Sequence, residues 1–297
     1  MRVSSSRFGR LAAGAAALIG LAAGQAVLAS PADALPGLQR PAKTTVSDSS
    51  TSKSVAARCP AGQNVIGGGG RVVGGRGQVV LERLQPVQTT ATDGRFVVAA
   101  REDETGYAGA WALTAHAVCS DPLPGFGILD STSGPASSNS PQGTISFCVG
   151  QTQVGFGGRV NSGVGQVHLT DLTRGTNGQV DFTSIAAVED ANGFAGAWNV
   201  TAYAVCATTP PNLIPVSAAS PASSVSKSAT VSCPTGTRVH SAGAQLTPPG
   251  SDPVSASLVI DRVTIDDQLR SVTATAREDE TGTNADWSVR AVALCAP

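Results

Sequence analysis

Three segments that begin with tryptophan and end with cysteine constrain the fold of this chain more than any other feature. Between the two ends, apolar or small side chains occupy every second position, which is typical of a β-strand with one buried face. The segments are Trp111–Cys119, Trp198–Cys206 and Trp287–Cys295, and they contain all three tryptophans of the chain. Such internal repetition predicts a triplicated β-protein.

The six cysteines follow the same repetition. One cysteine opens each repeat and one closes it, at a period of about 85 to 89 residues: Cys59 and Cys119, Cys148 and Cys206, Cys233 and Cys295. An even number of regularly placed cysteines favours a disulfide framework in an oxidising compartment. We expect each opening cysteine to pair with the closing cysteine of its own repeat. The main alternative joins neighbouring repeats, for example Cys119 to Cys148.

The first residues have the composition of a secretory signal peptide. Arg2, Arg7 and Arg10 precede an uncharged Ala/Leu/Gly run from Leu11 to Leu28, and small residues suited to cleavage follow it. We therefore assign residues 1–34 to the signal peptide and predict a secreted, extracellular protein. A retained membrane anchor is the alternative, since the run approaches the length of a spanning helix. After signal cleavage we expect no membrane association.

The rest of the chain divides into repeats 35–119, 120–206 and 207–297. Each begins with a Ser/Pro-rich lead, which we expect to contribute strand; the alternative is a disordered linker. The 34 glycines and 18 prolines punctuate every repeat, and no long segment has helical periodicity. The predicted fold is all-β, with three antiparallel repeats of about five strands each. They form either a pseudo-threefold, β-prism-like assembly or a row of tandem β-sandwich modules.

Charge and glycine content exclude some functions. The formal net charge is −1 without a basic cluster, so nucleic acid is not an expected partner. The run Gly67–Gly70 lacks the lysine and following helix of a phosphate-binding loop. We interpret it as a strand in which backbones approach closely.

An acidic turn recurs in every repeat and supplies the candidate site residues. They are Glu102, Asp103, Glu189, Asp190, Glu278 and Asp279. Asp at the first position and Gly at the fourth, as in Asp103 and Gly106, are preferred in type I turns, which favours a purely structural role. The alternatives are calcium binding and acid–base catalysis of glycoside hydrolysis. We predict no metal, no cofactor and no catalytic residue.

Aromatic residues near these turns form a second candidate site. Tyr107 and Phe194 each stand four residues before the tryptophan of their repeat. They could stack on sugar rings, whereas the tryptophans are expected to fill the core. The histidines, His116, His168 and His240, occupy different positions in the repeat and suggest no catalytic set.

Together these motifs resemble a known group of proteins. The CPxGxxVxGGG opening and the Trp-x-Val-x-Ala-x-Ala-x-Cys closing strand resemble the repeats of secreted proteins from GC-rich Gram-positive bacteria, for which no activity is established. The Cys-Pro-x-Gly openings are also similar, more generally, to the three-repeat β-prism of the vitelline membrane outer layer proteins. These resemblances imply export and an all-β fold, and no site residues.

The leading hypothesis is therefore a non-catalytic extracellular binding or structural protein. Polysaccharide or the cell envelope is the expected partner class. An extracellular hydrolase that uses the acidic turns is the alternative. A protease inhibitor is a further one, since residues 248–253 form a Pro-rich insertion found only in repeat three.

Overall fold

A computed structural model describes residues 35–137, 140–208, 212–247 and 253–297. The predicted signal peptide and most of the Pro-rich insertion therefore lie outside the described residues. The three closing segments form strands as predicted, and the tryptophan that precedes each one is buried, with at most 1% of its surface exposed. The fold is all-β, as the alternating pattern predicted.

Six strands lie in the described part of each repeat. Repeat one has β1 (Ala42–Thr44), β2 (Ser52–Arg58), β3 (Asn64–Val73), β4 (Val79–Val87), β5 (Arg95–Glu102) and β6 (Ala112–Ser120). Repeat two has β7 (Gly127–Thr132), β8 (Gln142–Phe147), β9 (Thr152–Asn161), β10 (Val167–Thr176), β11 (Asp181–Glu189) and β12 (Asn199–Ala207). Repeat three has β13 (Ile214–Ala219), β14 (Lys227–Ser232), β15 (Arg238–Thr247), β16 (Leu258–Ile265), β17 (Ser271–Glu278) and β18 (Ser288–Ala296), with a 3₁₀ helix at Pro253–Ser257 before β16. Six strands replace the expected five because every lead supplies two.

The strands form three antiparallel six-stranded sheets, and every sheet is built from two repeats. Sheet I has the order β2-β5-β4-β9-β12-β7 and joins repeats one and two. Sheet II has the order β13-β18-β15-β10-β11-β8 and joins repeats two and three. Sheet III has the order β1-β6-β3-β16-β17-β14 and joins repeats three and one. The repeats therefore close into a ring, which is the pseudo-threefold, prism-like arrangement and not a row of tandem modules.

The leads supply the outermost strands of all three sheets. The two strands of one lead lie in different sheets: β1 ends sheet III and β2 ends sheet I, and the other leads follow the same rule. β1 has only three residues, and all are exposed. Short polar edge strands protect a sheet against pairing with other chains, which explains why a Ser/Pro-rich sequence is used here.

The repeats meet at three seams, where the sheets pass from one repeat to the next. At each seam only two residue pairs are in register, between β3 and β16, β4 and β9, or β10 and β15. One glycine position recurs at every seam: a Cβ on Gly69, Gly157 or Gly243 would lie 2.0 to 2.5 Å from a carbonyl oxygen of the neighbouring repeat. Glycine here permits the close approach that the sequence suggested.

One continuous apolar core draws residues from all three repeats. The predicted disulfides Cys59–Cys119, Cys148–Cys206 and Cys233–Cys295 are all present, with Cα–Cα distances of 5.6 to 5.8 Å. Cys59 follows β2 of sheet I, and Cys119 lies in β6 of sheet III, so the bond ties together the two sheets to which repeat one contributes. The described part of the chain contains no helix with the length and apolar character needed to span a bilayer.

The seam glycine of repeat three offers a direct test of this packing. A Cβ on Gly243 would lie 2.0 Å from the Leu172 carbonyl oxygen, and backbone atoms cannot move aside as a side chain can. We expect Gly243→Ala to lower the free energy of unfolding by about 3 kcal/mol or more, measured by urea denaturation.

The matched control is Gly127→Ala, also in a strand, where an added Cβ meets nothing within 4 Å among the described residues. Its stability should change by less than about 0.5 kcal/mol. Equal stabilities of the two variants would contradict the close approach at the seam.

Candidate functional site

The acidic turns have the local structure that the sequence predicted. The Asp103 Oδ1 atom accepts hydrogen bonds from the backbone amides of Thr105 (3.0 Å) and Gly106 (2.9 Å). Asp279 caps the turn of repeat three in the same way, at 2.9 and 3.0 Å. The glycine that ends each turn has a positive φ of 67° to 78°, which glycine adopts at little cost.

The glutamates that precede these aspartates point away from the turn and contact the buried tryptophans. Each accepts a hydrogen bond from the indole Nε1 of the buried tryptophan in its own repeat. The pairs are Trp111 to Glu102 (2.9 Å), Trp198 to Glu189 (2.8 Å) and Trp287 to Glu278 (3.2 Å). A buried N–H without an acceptor is costly, so these carboxylates have a structural task that the sequence pattern did not reveal.

The three turns meet around one cavity of about 200 Å³, which we call the axial cavity. It is lined by equivalent residues of all three repeats and therefore lies on the pseudo-threefold axis. The lining residues are Asp103, Glu104, Thr105, His168, Asp190, Ala191, Asn192, Asp279, Glu280 and Thr281. Of the predicted site residues, the three aspartates reach this cavity, whereas the three glutamates do not line it.

Glycines in the neighbouring loops bring the turns together. A Cβ on Gly77, in the β3–β4 loop, would lie 2.4 Å from the Glu278 carbonyl oxygen of repeat three. A Cβ on Gly165, in the β9–β10 loop, would lie 2.1 Å from the Glu102 carbonyl oxygen of repeat one. Because both glycines have positive φ, these loops fold tightly against the turn of the adjacent repeat.

Side chains from different turns also contact one another around the cavity. Thr105 Oγ1 lies 3.4 Å from Glu280 Oε1, and the amide of Asn192 donates to Glu104 Oε1. The three turns form a ring around the cavity. Repeat two has Ala191 at the position of Glu104 and Glu280. The ring is therefore symmetric in backbone and asymmetric in chemistry.

The electrostatics of the cavity follow from burial and carboxylate crowding. Burial, followed by the charge of Glu104, raises the pKa of Asp190 to about 7. The backbone amide of Gly193 opposes this shift, and the Glu104 carboxyl of the neighbouring turn interacts with Asp190 directly. Burial and the neighbouring Asp103 likewise raise the pKa of Glu280. Near neutrality Asp190 therefore holds a proton that an isolated aspartate would lose.

All three histidines lie inside strands and are buried. Burial lowers the pKa of His168 in β10, although Asp279 and Asp103 oppose that shift. His116 Nε2 accepts a hydrogen bond from the Ile265 amide across a seam, at 3.0 Å. Burial lowers the pKa of His116 to about 3 and that of His240 to about 4. Only His168 reaches the axial cavity.

The aromatic candidates do not line the axial cavity. Tyr107 and Phe194 are half-buried and pack against the core. Their rings lie over Gly109 and Gly196, where a Cβ would come within 2.6 and 2.2 Å of a ring atom. The rings therefore already have one face covered.

A second feature, on the outer faces of two sheets, was missed by the sequence analysis. In sheet I, Arg83 of β4 is directly opposite Arg159 of β9 across the seam. In sheet III, Arg71 of β3 is opposite Arg262 of β16. We call these two pairs the arginine seams. Sheet II has Asp171 opposite Gln245 at the equivalent position.

Acidic side chains lie near the seam arginines without pairing with them. None of them forms an ion pair within the part of the chain that the structure describes, and the Nε atoms of Arg159 and Arg262 are buried without a hydrogen-bond partner there. The nearby acids are used by other arginines, since Asp261 pairs with Arg277 at 2.5 Å. Burial, followed by the charge of Arg159, lowers the pKa of Arg83.

The arginine seam of sheet I lies in an open polar groove of about 620 Å³. Beside Arg83 and Arg159, the groove is lined by Glu82, which lies 3.9 Å from Arg101, and by amides and hydroxyls. The amides and hydroxyls include Asn161, Asn199 and Thr201. Asn161 Nδ2 donates to the other two at 2.7 and 2.9 Å. The groove thus combines fixed positive charge with ordered polar groups.

The missed residues left weak signals in the sequence. Arg71 and Arg159 both follow a Gly-Gly pair. Arg83 in β4 and Arg262 in β16 both follow an acidic residue. Neither pattern occurs in all three repeats, so it does not stand out when the repeats are superimposed. His168 has no histidine at the equivalent positions Val80 and Val259.

Comparison with known proteins adds no functional assignment. No protein-family model matches the chain, and no curated protein sequence matches it either. Among the described residues, no group of three or more His, Cys, Asp or Glu side chains is arranged to hold a bare metal ion. The inhibitor hypothesis concerned residues 248–253, of which 248–252 lie outside the described residues.

The indole–carboxylate contacts predict different effects for two substitutions at Glu102. Glu102→Ala leaves the buried Nε1–H of Trp111 without an acceptor and should lower the free energy of unfolding by about 2 kcal/mol. Glu102→Gln retains an acceptor oxygen and should cost less than about 1 kcal/mol. Urea denaturation followed by tryptophan fluorescence measures both. Equal decreases in the free energy of unfolding would show that the hydrogen bond to Trp111 does not contribute to stability.

The raised pKa of Asp190 predicts a specific pH dependence of stability. Because the folded pKa exceeds the usual value, the stability contributed by Asp190 is complete below about pH 4 and is lost as the pH rises through about 7. The free energy of unfolding of the wild type, relative to that of Asp190→Asn, should therefore fall between about pH 4 and pH 7 and stay level above that range.

The comparison with Asp190→Asn is necessary because other groups titrate nearby. The buried histidines have lowered pKa values, so the stability that they contribute to the protein is lost in the opposite direction, as the pH falls. They contribute equally to both proteins and cancel in the difference. A difference independent of pH would mean that Asp190 is ionised throughout this range.

Proposed function

We propose that this protein is a secreted, non-catalytic binding protein for acidic polysaccharides, which it contacts through the arginine seams. The observation that carries the proposal is the pairing of Arg83 with Arg159 and of Arg71 with Arg262 on two outer faces, with no ion pair to any acid among the described residues. The disulfide-stabilised all-β framework is suited to an extracellular environment.

Like charges placed directly opposite each other in a sheet are destabilising. Two sheets nevertheless carry such a pair, and the surrounding acids are already engaged with other arginines. An anion bound between the guanidinium groups would relieve this repulsion. Guanidinium groups bind carboxylates and phosphates in a bidentate manner, so the pair is suited to the acidic group of a sugar residue.

The groove around Arg83 and Arg159 supports a carbohydrate ligand in particular. The ordered amides and hydroxyls of Asn161, Asn199 and Thr201 can exchange hydrogen bonds with sugar hydroxyls beside the charged group. The groove is open, as an extended chain requires. Because both seams flank repeat one, a single polymer could engage two sites of one molecule, which would raise the overall affinity.

The structural role of the turn glutamates favours binding over hydrolysis. The residues that an acid–base mechanism would use, Glu102, Glu189 and Glu278, each accept a hydrogen bond from a buried indole. The aspartates beside them point to the axial cavity and not to the arginine seams.

The test compares binding of polygalacturonate and of neutral dextran to the secreted protein, measured by isothermal titration calorimetry. We expect binding of polygalacturonate only. Arg83→Gln/Arg159→Gln should weaken it by about tenfold, the effect of losing about 1.4 kcal/mol of charge-assisted hydrogen bonding. Arg71→Gln/Arg262→Gln should have a similar effect.

The matched control is Arg58→Gln/Arg270→Gln, which removes two exposed arginines outside the seams and changes the net charge equally. Its affinity should stay within about twofold of wild type, since remote exposed charges are screened by salt. Equal weakening of polygalacturonate binding in the control would show that binding depends on net charge and not on the arginine seams, which would contradict the proposal. Equal binding of duplex DNA would also contradict the proposal, because it would show non-selective attraction of polyanions.

A further inference from the structure

The axial cavity contains a buried nitrogen that lacks a partner. His168 is 2% exposed and lines the cavity. Its ring donates one hydrogen bond to the Leu258 carbonyl, and Nδ1 has no partner among the described residues. With the proton on the other nitrogen, Nδ1 presents a lone pair. A buried acceptor without a donor is costly, so this atom indicates a missing hydrogen-bond donor.

Most other polar groups that line the cavity are carboxylate acceptors. Asp190 differs near neutrality, because its raised pKa lets it hold a proton that a bound cation would displace. Both threonine hydroxyls and one N–H of Asn192 donate to these carboxylates: Thr105 Oγ1 to Asp103, Thr281 Oγ1 to Asp279, and Asn192 to Glu104. The carboxylate oxygens and His168 Nδ1 therefore share a need for donors. A ligand that fits this lining must present hydrogens on all sides.

The charge of the cavity points to a cation. Five carboxyl groups line it, and none forms an ion pair with Lys or Arg within the described ranges of the chain. These groups come from three separate turns, so their mutual repulsion acts across the contacts between repeats. A cation on the axis would attract all three turns at once.

The spacing of the carboxyl groups favours a cation that keeps its water shell. The groups surround the cavity and do not converge on a point, since no three of the described side chains can hold a bare ion. The volume of about 200 Å³ is much larger than one water needs. Magnesium in particular keeps several waters in protein sites, and a hydrated cation presents only donor hydrogens.

We propose that the axial cavity binds a hydrated divalent cation, whose waters donate hydrogen bonds to the carboxylates and to His168. This site is independent of the arginine seams, and it would join the turns of all three repeats through one ligand. Ala191 leaves room at the position where a third glutamate would otherwise stand.

The experiment measures binding of Mg²⁺ and Ca²⁺ to chelator-treated full-length secreted protein by isothermal titration calorimetry, at constant ionic strength. We expect dissociation constants on the order of 10⁻⁴ to 10⁻³ M, as in extracellular cation modules. Hexaamminecobalt(III), which resembles a hydrated cation and cannot release its ligands, should compete for the same site.

The diagnostic variant is Glu104→Gln/Glu280→Gln, which removes two rim charges and leaves the aspartate caps of the turns intact. It should bind Mg²⁺ at least about tenfold more weakly. The control is Asp130→Asn/Asp286→Asn, with the same charge change at two exposed acids outside the cavity. It should bind as the wild type does, and thermal unfolding of each variant confirms that it is folded.

Several results would overturn the proposal. Binding of Mg²⁺ without competition by hexaamminecobalt(III) would indicate a partly dehydrated ion. Equal weakening in both double variants would indicate general charge screening. Binding of spermidine in the absence of any binding of Mg²⁺ or Ca²⁺ would assign the cavity to an organic cation.

Discussion

The close approach of backbones at the three seams is the constraint on which the rest of the structure depends. A ring of three repeats closes only if the inner strands of neighbouring repeats come within hydrogen-bonding distance while the strands also pack near a common axis. Gly69, Gly157 and Gly243 make this possible, because each lies against a carbonyl of the next repeat where no Cβ has room. The sheets, the axial cavity and the arginine seams all require this contact.

The sequence predicted which segments form strands, but it did not predict which strands pair with each other across repeats. Period-two alternation identifies which face of a strand is buried, and the repeated cysteines identified the disulfide pairing, because both signals are local to one repeat. The sharing of each sheet between two repeats left no such signal, since antiparallel partners in different repeats contribute similar alternating patterns. The sequence therefore left the closed ring and the row of tandem modules as alternatives, and the strand pairing between repeats decides between them.

The candidate site shows the same limit. Turn chemistry correctly explained Asp103 and Asp279, because a capping aspartate acts on residues two and three positions away. The different roles of Glu102 and Asp103 depend on the alternation of side chains at the end of a strand, which directs one carboxylate to the buried indole and the other to the axis. His168 and the seam arginines were missed because they break the threefold repetition by which the sequence was read. The backbone follows the threefold repeat, whereas the side chains proposed to bind ligands include residues that are not repeated in all three units.

The division of each repeat between two sheets also affects how the molecule can unfold. In a linear array of repeats, a terminal unit can unravel while the rest stays intact, because each unit contacts only its neighbours along the line. Here the pairing of β3 with β16 removes the free end, and the loss of any one repeat would expose the half-sheets of both others. A sequence built from three similar parts therefore specifies a single cooperative unit, in which the disulfides reinforce each part and the ring makes the parts inseparable.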